Sequence, residues 1–138
     1  MIIAVTSKRG GTGGTTLSLA MSYCLFNHYH RNCCVVDLRN NNDVKKLLQL
    51  NTNACVDNLL SEFGANSRFT TIEENTVKFN GVNIIPGVFT VITTYLLKKV
   101  NKIKELLIEL NNRYDVVILD ILDDELLETL TDIGVDIL

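Results

Sequence analysis

The sequence predicts a three-layer α/β domain with a mainly parallel, doubly wound sheet, and three observations carry that reading. Short apolar runs without polar alternation recur at "IIAV" (2–5), "CCVV" (33–36), "NII" (83–85) and "VVIL" (116–119). Strands buried on both faces read this way. Helical patterns lie between several of these runs, and strands that alternate with helices imply right-handed crossovers in a parallel sheet. The first run enters a glycine-rich turn, "SKRGGTGGTT" (7–16), and leaves it in a helix.

The elements follow in order. After the turn, Leu17, Ala20, Met21, Cys24 and Leu25 recur at helical spacing, so the spacing predicts one apolar stripe facing the sheet. His28 and His30 flank Tyr29 at the expected helix end and read as a solvated last turn. "DVKKLLQL" (43–50) and "VDNLLSEF" (56–63) predict two short helices, with Gly64 as a stop. In "TVKFNGVNII" (76–85) the Asn80-Gly81 pair predicts a hairpin leading into a central strand that Pro86 and Gly87 end. Leu96, Val100, Ile103, Leu107 and Leu110 mark a further covering helix. Lys98, Lys99 and Lys102 lie off its stripe and read as a solvated face, not a nucleic-acid surface. Asp123, Asp124 and Glu125 suit the first turn of a helix, and "GVDIL" (134–138) reads as a last strand.

A length of 138 residues, 46% of them hydrophobic, fits one domain over 1–138. A net charge of -3 provides no global attraction to nucleic acid or to an anionic membrane. Cys24, Cys33, Cys34 and Cys55 form no CxxC pair, and the N-terminus lacks the order of a signal peptide, so a reducing cytoplasm is expected. No apolar run approaches the ~18 residues that span a bilayer.

A glycine turn between a buried strand and a helix lets backbone N–H groups converge on an anion at the positive end of the helix dipole. Two phosphate motifs compete for these residues. GxGxxG aligns on Gly11, Gly13 and Thr16, with Asp37 placed as a ribose-binding acid, and would make a dinucleotide-binding oxidoreductase domain. GxxxxGK[ST] aligns from Lys8 to Thr15 but has Gly14 at its lysine.

"RGGTGGTT" resembles the deviant phosphate loop "KGGxGKTT" of the ParA/MinD family of partitioning and positioning ATPases. "CCVVDLRNNND" resembles the family's Asp-x-Asp stretch after strand two, "VNIIPG" its strand and "lP" turn, and "RYDVVILDI" its Walker B strand. The resemblance implies nucleotide binding by Lys8, Arg9, Gly10, Gly11, Thr12, Gly13, Gly14, Thr15 and Thr16, with ATP or ADP and Mg²⁺. It also implies Thr15, Asp37 and Asp120 at the metal.

The resemblance shows departures as well. Gly14 stands at the phosphate lysine, Arg39 at the second acid of the Asp-x-Asp, and "TPPG" is missing after Asp120. Phosphoryl transfer is mostly positioning and charge neutralisation, so no residue is assigned a catalytic role and at most weak ATP hydrolysis is expected. Nucleotide binding and a fold-determining turn without a ligand both remain open. The chain looks like the N-terminal half of the family's domain, either a fragment or a shortened protein. Such a sheet is expected to assemble with itself or a protein partner through 133–138. "NNNDVKKLLQLNTNACVDNLLSE" resembles the CpaE/TadZ branch of pilus-assembly localisation proteins.

Overall fold

The computed structural model describes residues 1–6, 13–39, 43–61, 69–87, 99–122 and 124–138. The strands are β1 (Ile2–Val5), β2 (Cys33–Asp37), β3 (Val77–Phe79), β4 (Val82–Ile85), β5 (Val116–Asp120) and β6 (Val135–Ile137). They form one sheet in the order β3-β4-β2-β5-β1-β6. All neighbours are parallel except the β3–β4 hairpin.

The described helices are α1 (Gly13–Tyr29), α2 (Asp43–Leu47), α3 (Val56–Leu60), α4 (Val100–Arg113) and α5 (Asp124–Leu130). Alternate residues of the central strands feed two cores. Cys33, Val35, Ile118 and Ile84 pack with Val44 of α2 and with Leu19, Met21 and Leu25 of α1. On the other face Cys34, Val36, Val117 and Leu119 pack with Leu59 of α3, Ile103, Leu106, Leu107 and Leu110 of α4, and Leu126 and Leu130 of α5. Both faces of β2 and β5 are therefore dry, which is why their sequences do not alternate.

The apolar stripe expected on α1 is corrected by the structure. Leu17 is 45% exposed and Cys24 is exposed, while the helix buries Gly14, Thr15, Ser18 and Ser22. Small residues let the helix axis approach the sheet. The two serine hydroxyls are satisfied within the helix, since Ser18 donates to the Gly14 carbonyl (2.9 Å) and Ser22 to that of Leu19 (2.7 Å). The helix ends as the histidines suggested: His30 is left-handed (φ 53) and the Arg31 N–H donates to the Leu25 carbonyl at 3.0 Å.

The hairpin forms where Asn80-Gly81 places it, with φ of 49 and 85 at the two turn residues. β4 lies between β3 and β2, so β3 is the edge. Gly81 is required twice over: its φ is positive, and an added Cβ would come within 2.1 Å of the Phe26 ring. Gly81→Ala is expected to lower stability by about 1–2 kcal/mol, read from urea unfolding; an unchanged midpoint would show that the turn relaxes freely.

The covering helix begins at Val100 in the described residues, so Leu96 and Lys98 lie outside them, as does Gly64. Lys102 is not simply solvated: its Nζ lies 4.6 Å from the centroid of the Phe69 ring. Asp124 and Glu125 occupy the first turn of α5, and Asp123 falls outside the described residues. "GVDIL" provides β6, which pairs with β1 at the other edge and leaves Ile137 exposed. None of the described helices is long and apolar enough to cross a membrane.

Candidate functional site

The parallel register puts Asp37 opposite Asp120, and Asp120 opposite Val5, at the carboxyl ends of three adjacent strands. The chain leaves β1 toward β2 on one side of β5, and leaves β5 toward β6 on the far side of β1. Connections that depart in opposite directions open a crevice beyond the strand ends, where α/β proteins place ligands. The N-terminal turn of α1 stands at the same end and brings Thr15 to it.

Four residues meet there. The Thr15 hydroxyl donates to Asp120 Oδ2 at 2.6 Å. Arg39 Nε donates to Asp120 Oδ1, also at 2.6 Å, in an ion pair whose two side chains are 0% exposed. The Arg39 backbone N–H donates to Asp37 Oδ1 at 2.9 Å. Strand pairing fixes the geometry, because the Leu38 N–H still donates to the Asp120 carbonyl (2.9 Å) and aims the next residue back across the strand ends.

Burial sets the electrostatics. Asp37 is pushed up to about 7, chiefly by loss of water; the Arg39 N–H opposes this, the Asp120 charge adds to it, and the Val44 N–H opposes it again. Asp120 is also raised by burial, against the lowering effects of the Thr15 hydroxyl and the Arg39 guanidinium. Gly87 closes over Asp37 so tightly that a Cβ there would lie 2.6 Å from Asp37 Oδ2. A carboxyl covered in this way is not presented to ribose hydroxyls, so the dinucleotide alternative is not favoured.

The remaining expected site residues fall differently. Lys8, Arg9, Gly10, Gly11 and Thr12 lie outside the described residues. Gly13 opens α1 and is exposed, and Gly14 is buried. Thr16 is exposed and lines a groove of about 390 Å³ with Leu19, Tyr23, Leu47, Phe79 and Ile84, away from Asp120. Thr15 also borders a cavity of about 290 Å³, with Asp43, Lys46 and Leu47 among the described residues that line it.

Arg39, which the sequence marks only as a departure from the second acid of the Asp-x-Asp, is the partner of Asp120. A usable signal was present, since an arginine two residues past Asp37 leaves a dry strand close to wherever Asp120 ends.

A family model described as "AAA domain" matches residues 1–133. No curated protein matches the chain. Among solved structures, a plasmid partition protein from Borrelia burgdorferi superposes with a TM-score of 0.61 at 20% identity, over 86% of this chain and 54% of that one. A ParA family ATPase from Chlorobium tepidum gives 0.67 at 16% identity, over 95% and 56%. A protein from Corynebacterium diphtheriae gives 0.57 at 16%, over 94% and 56%. The chain thus spans little more than half the length of these structures. With the sheet order and the match over nearly its whole length, the chain belongs to the ParA/MinD-type P-loop ATPases.

Proposed function

We propose that this chain is a degenerate ParA/MinD-like domain that acts in the cytoplasm in spatial positioning or partitioning. Its cargo class is a plasmid or chromosome, a division site or a pilus machine. It works by assembly with copies of itself or a protein partner, with weak dependence on nucleotide or none. In this reading 1–138 forms one P-loop NTPase-like domain corresponding to the N-terminal half of the family's domain.

The single observation that carries the reading is the buried Arg39–Asp120–Thr15 network. Both oxygens of the acid that resembles the Walker B aspartate are engaged by side chains of the chain itself. Gly14 offers no charge to the β- and γ-phosphates, and Arg39 cannot orient an attacking water as an acid would. Losing those contacts removes several kcal/mol of transition-state stabilisation, by the order of magnitude seen for single preorganised donors. ATP or ADP held by 8–16 would then act, if it binds, as a structural ligand.

The test is ATP turnover with Mg²⁺ beside calorimetric titration of ATP. The expected result is turnover at least about a hundredfold below the ordinary range of ~1–1000 s⁻¹. Gly14→Lys is expected to tighten ATP binding by roughly tenfold, near 1.4 kcal/mol. An ordinary enzymatic rate in the unmodified protein would refute the reading.

A further inference from the structure

The family implies Mg²⁺ among Thr15, Asp37 and Asp120, and the residues present do not fit it. A magnesium site needs hard oxygen donors with near-octahedral geometry, usually one or two carboxylates with free lone pairs. Here Arg39 Nε donates to Asp120 Oδ1 and the Thr15 hydroxyl to Oδ2, each at 2.6 Å, so a guanidinium already lies against the carboxylate and each oxygen keeps only one of its two lone pairs. Thr15 points its proton at that carboxylate, and Asp37 Oδ1 accepts the Arg39 N–H. Among the described residues no group of three or more His, Cys, Asp or Glu side chains is placed to hold a metal ion.

A cation is nevertheless present at the place where a metal would neutralise Asp120. Arg39 is held through its backbone N–H by Asp37 Oδ1 and through its guanidinium by the Asp120 carboxylate, with its side chain 0% exposed. A divalent ion approaching Asp120 would have to displace a fixed guanidinium or sit against it. Charge repulsion at short range in a dry site opposes both, far more than it would in water. Arginine suits the role because it keeps its charge when buried and makes directed hydrogen bonds to a carboxylate.

We propose that the Arg39 guanidinium replaces the divalent cation at this site, so that Asp120 and Thr15 do not take up Mg²⁺. The proposal rests on the reading of the chain as a ParA/MinD-like domain with an altered site, and concerns which positive charge serves Asp120. It makes the charge balance of the strand ends a property of the sequence and not of the metal concentration.

The experiment measures Mn²⁺ uptake, as a paramagnetic stand-in for Mg²⁺, by electron paramagnetic resonance and by line broadening of the backbone amides of β1 and β5. The full chain is compared with Arg39→Gln, Arg39→Asp and Arg39→Gln/Asp120→Asn. The unmodified protein is expected to bind Mn²⁺ only weakly, with no broadening at Val5 or Leu119. Arg39→Gln, which keeps a neutral donor beside Asp120, is expected to gain at least about tenfold in Mn²⁺ affinity, and Asp120→Asn in that background to remove the gain. Arg39→Asp should gain as much or more wherever it folds.

Broadening at Val5 and Leu119 in the unmodified protein overturns the proposal, whether or not either variant folds. A folded Arg39→Gln protein with no gain overturns it too. If neither variant folds, absence of broadening in the unmodified protein stands as the supporting result. Failure here is separable from failure of the functional reading. Site-bound Mn²⁺ without ATP turnover defeats only the metal replacement, whereas rapid turnover without Mn²⁺ at Asp120 defeats only the degenerate assignment.

Discussion

Arg39→Ala is expected to lower the unfolding free energy by about 3–5 kcal/mol, the usual consequence of removing one partner from a buried ion pair. The size comes from what remains. Asp120 is fully buried, and without the guanidinium its Oδ1 loses a charge-assisted hydrogen bond in a place water does not reach. The Thr15 hydroxyl still serves Oδ2 and limits the loss. Because Arg39 is one of the influences holding the Asp120 pKa down, the variant's carboxyl takes a proton more readily. Its penalty should therefore shrink as pH falls and grow as pH rises. Adding Asp120→Asn should recover most of the loss, because the stranded charge is gone and the amide can still accept from Thr15. Urea unfolding of the single and double variants measures all of this. A loss below about 1 kcal/mol, the range of exposed pairs, would mean that Arg39 is solvated in solution and that the ion pair does not hold the strand ends together.

That network also marks the boundary of what the linear sequence made legible. The strands were legible because burial on both faces leaves a local trace, an unbroken apolar run, at each of "IIAV", "CCVV" and "VVIL". The hairpin was legible for a different local reason, since Asn80-Gly81 supplies the two left-handed residues that the tight turn demands. The buried face of α1 was not. Counting apolar side chains favours Leu17 and Cys24, yet close approach to the sheet selects Gly14, Ser18 and Ser22, and the two serine hydroxyls bond within their own helix. Arg39 was hidden by distance. Its partner lies 81 residues away, and only the parallel register of β2 on β5 brings the two carboxyl ends together. Local patterns report burial and turns; they do not report which charge will meet which. Residues 7–12, which carry much of the family resemblance, lie outside the described residues.

Asp37 should give the protein an unusual dependence of stability on pH. In the folded chain its pKa stands at about 7 against an ordinary 3.8, because burial disfavours the carboxylate more than the Arg39 and Val44 N–H groups favour it. The sign follows from proton counting. Between the unfolded value near 4 and the folded value near 7, the folded state holds a proton that the unfolded state has released. Raising pH through that window therefore favours unfolding, and the contribution of Asp37 is fully present below about pH 4 and gone above about pH 7. At ~1.4 kcal/mol per pH unit, the difference of about three units amounts to about 4 kcal/mol. Asp120 is raised in the same direction and steepens the fall. Asp37→Asn removes the titrating group while keeping an oxygen for the Arg39 N–H, so it should be more stable than the parent at about pH 8 and close to it at about pH 4. The relevant measurement is the difference in urea midpoint between parent and variant across that range, which cancels the exposed carboxylates common to both. A difference that stays constant with pH would mean that Asp37 is ionised in the folded protein. In that case Arg39 would be neutralising two carboxylates, and the strand ends would carry a net negative charge instead of the balanced pair that Arg39 and Asp120 form when Asp37 is protonated.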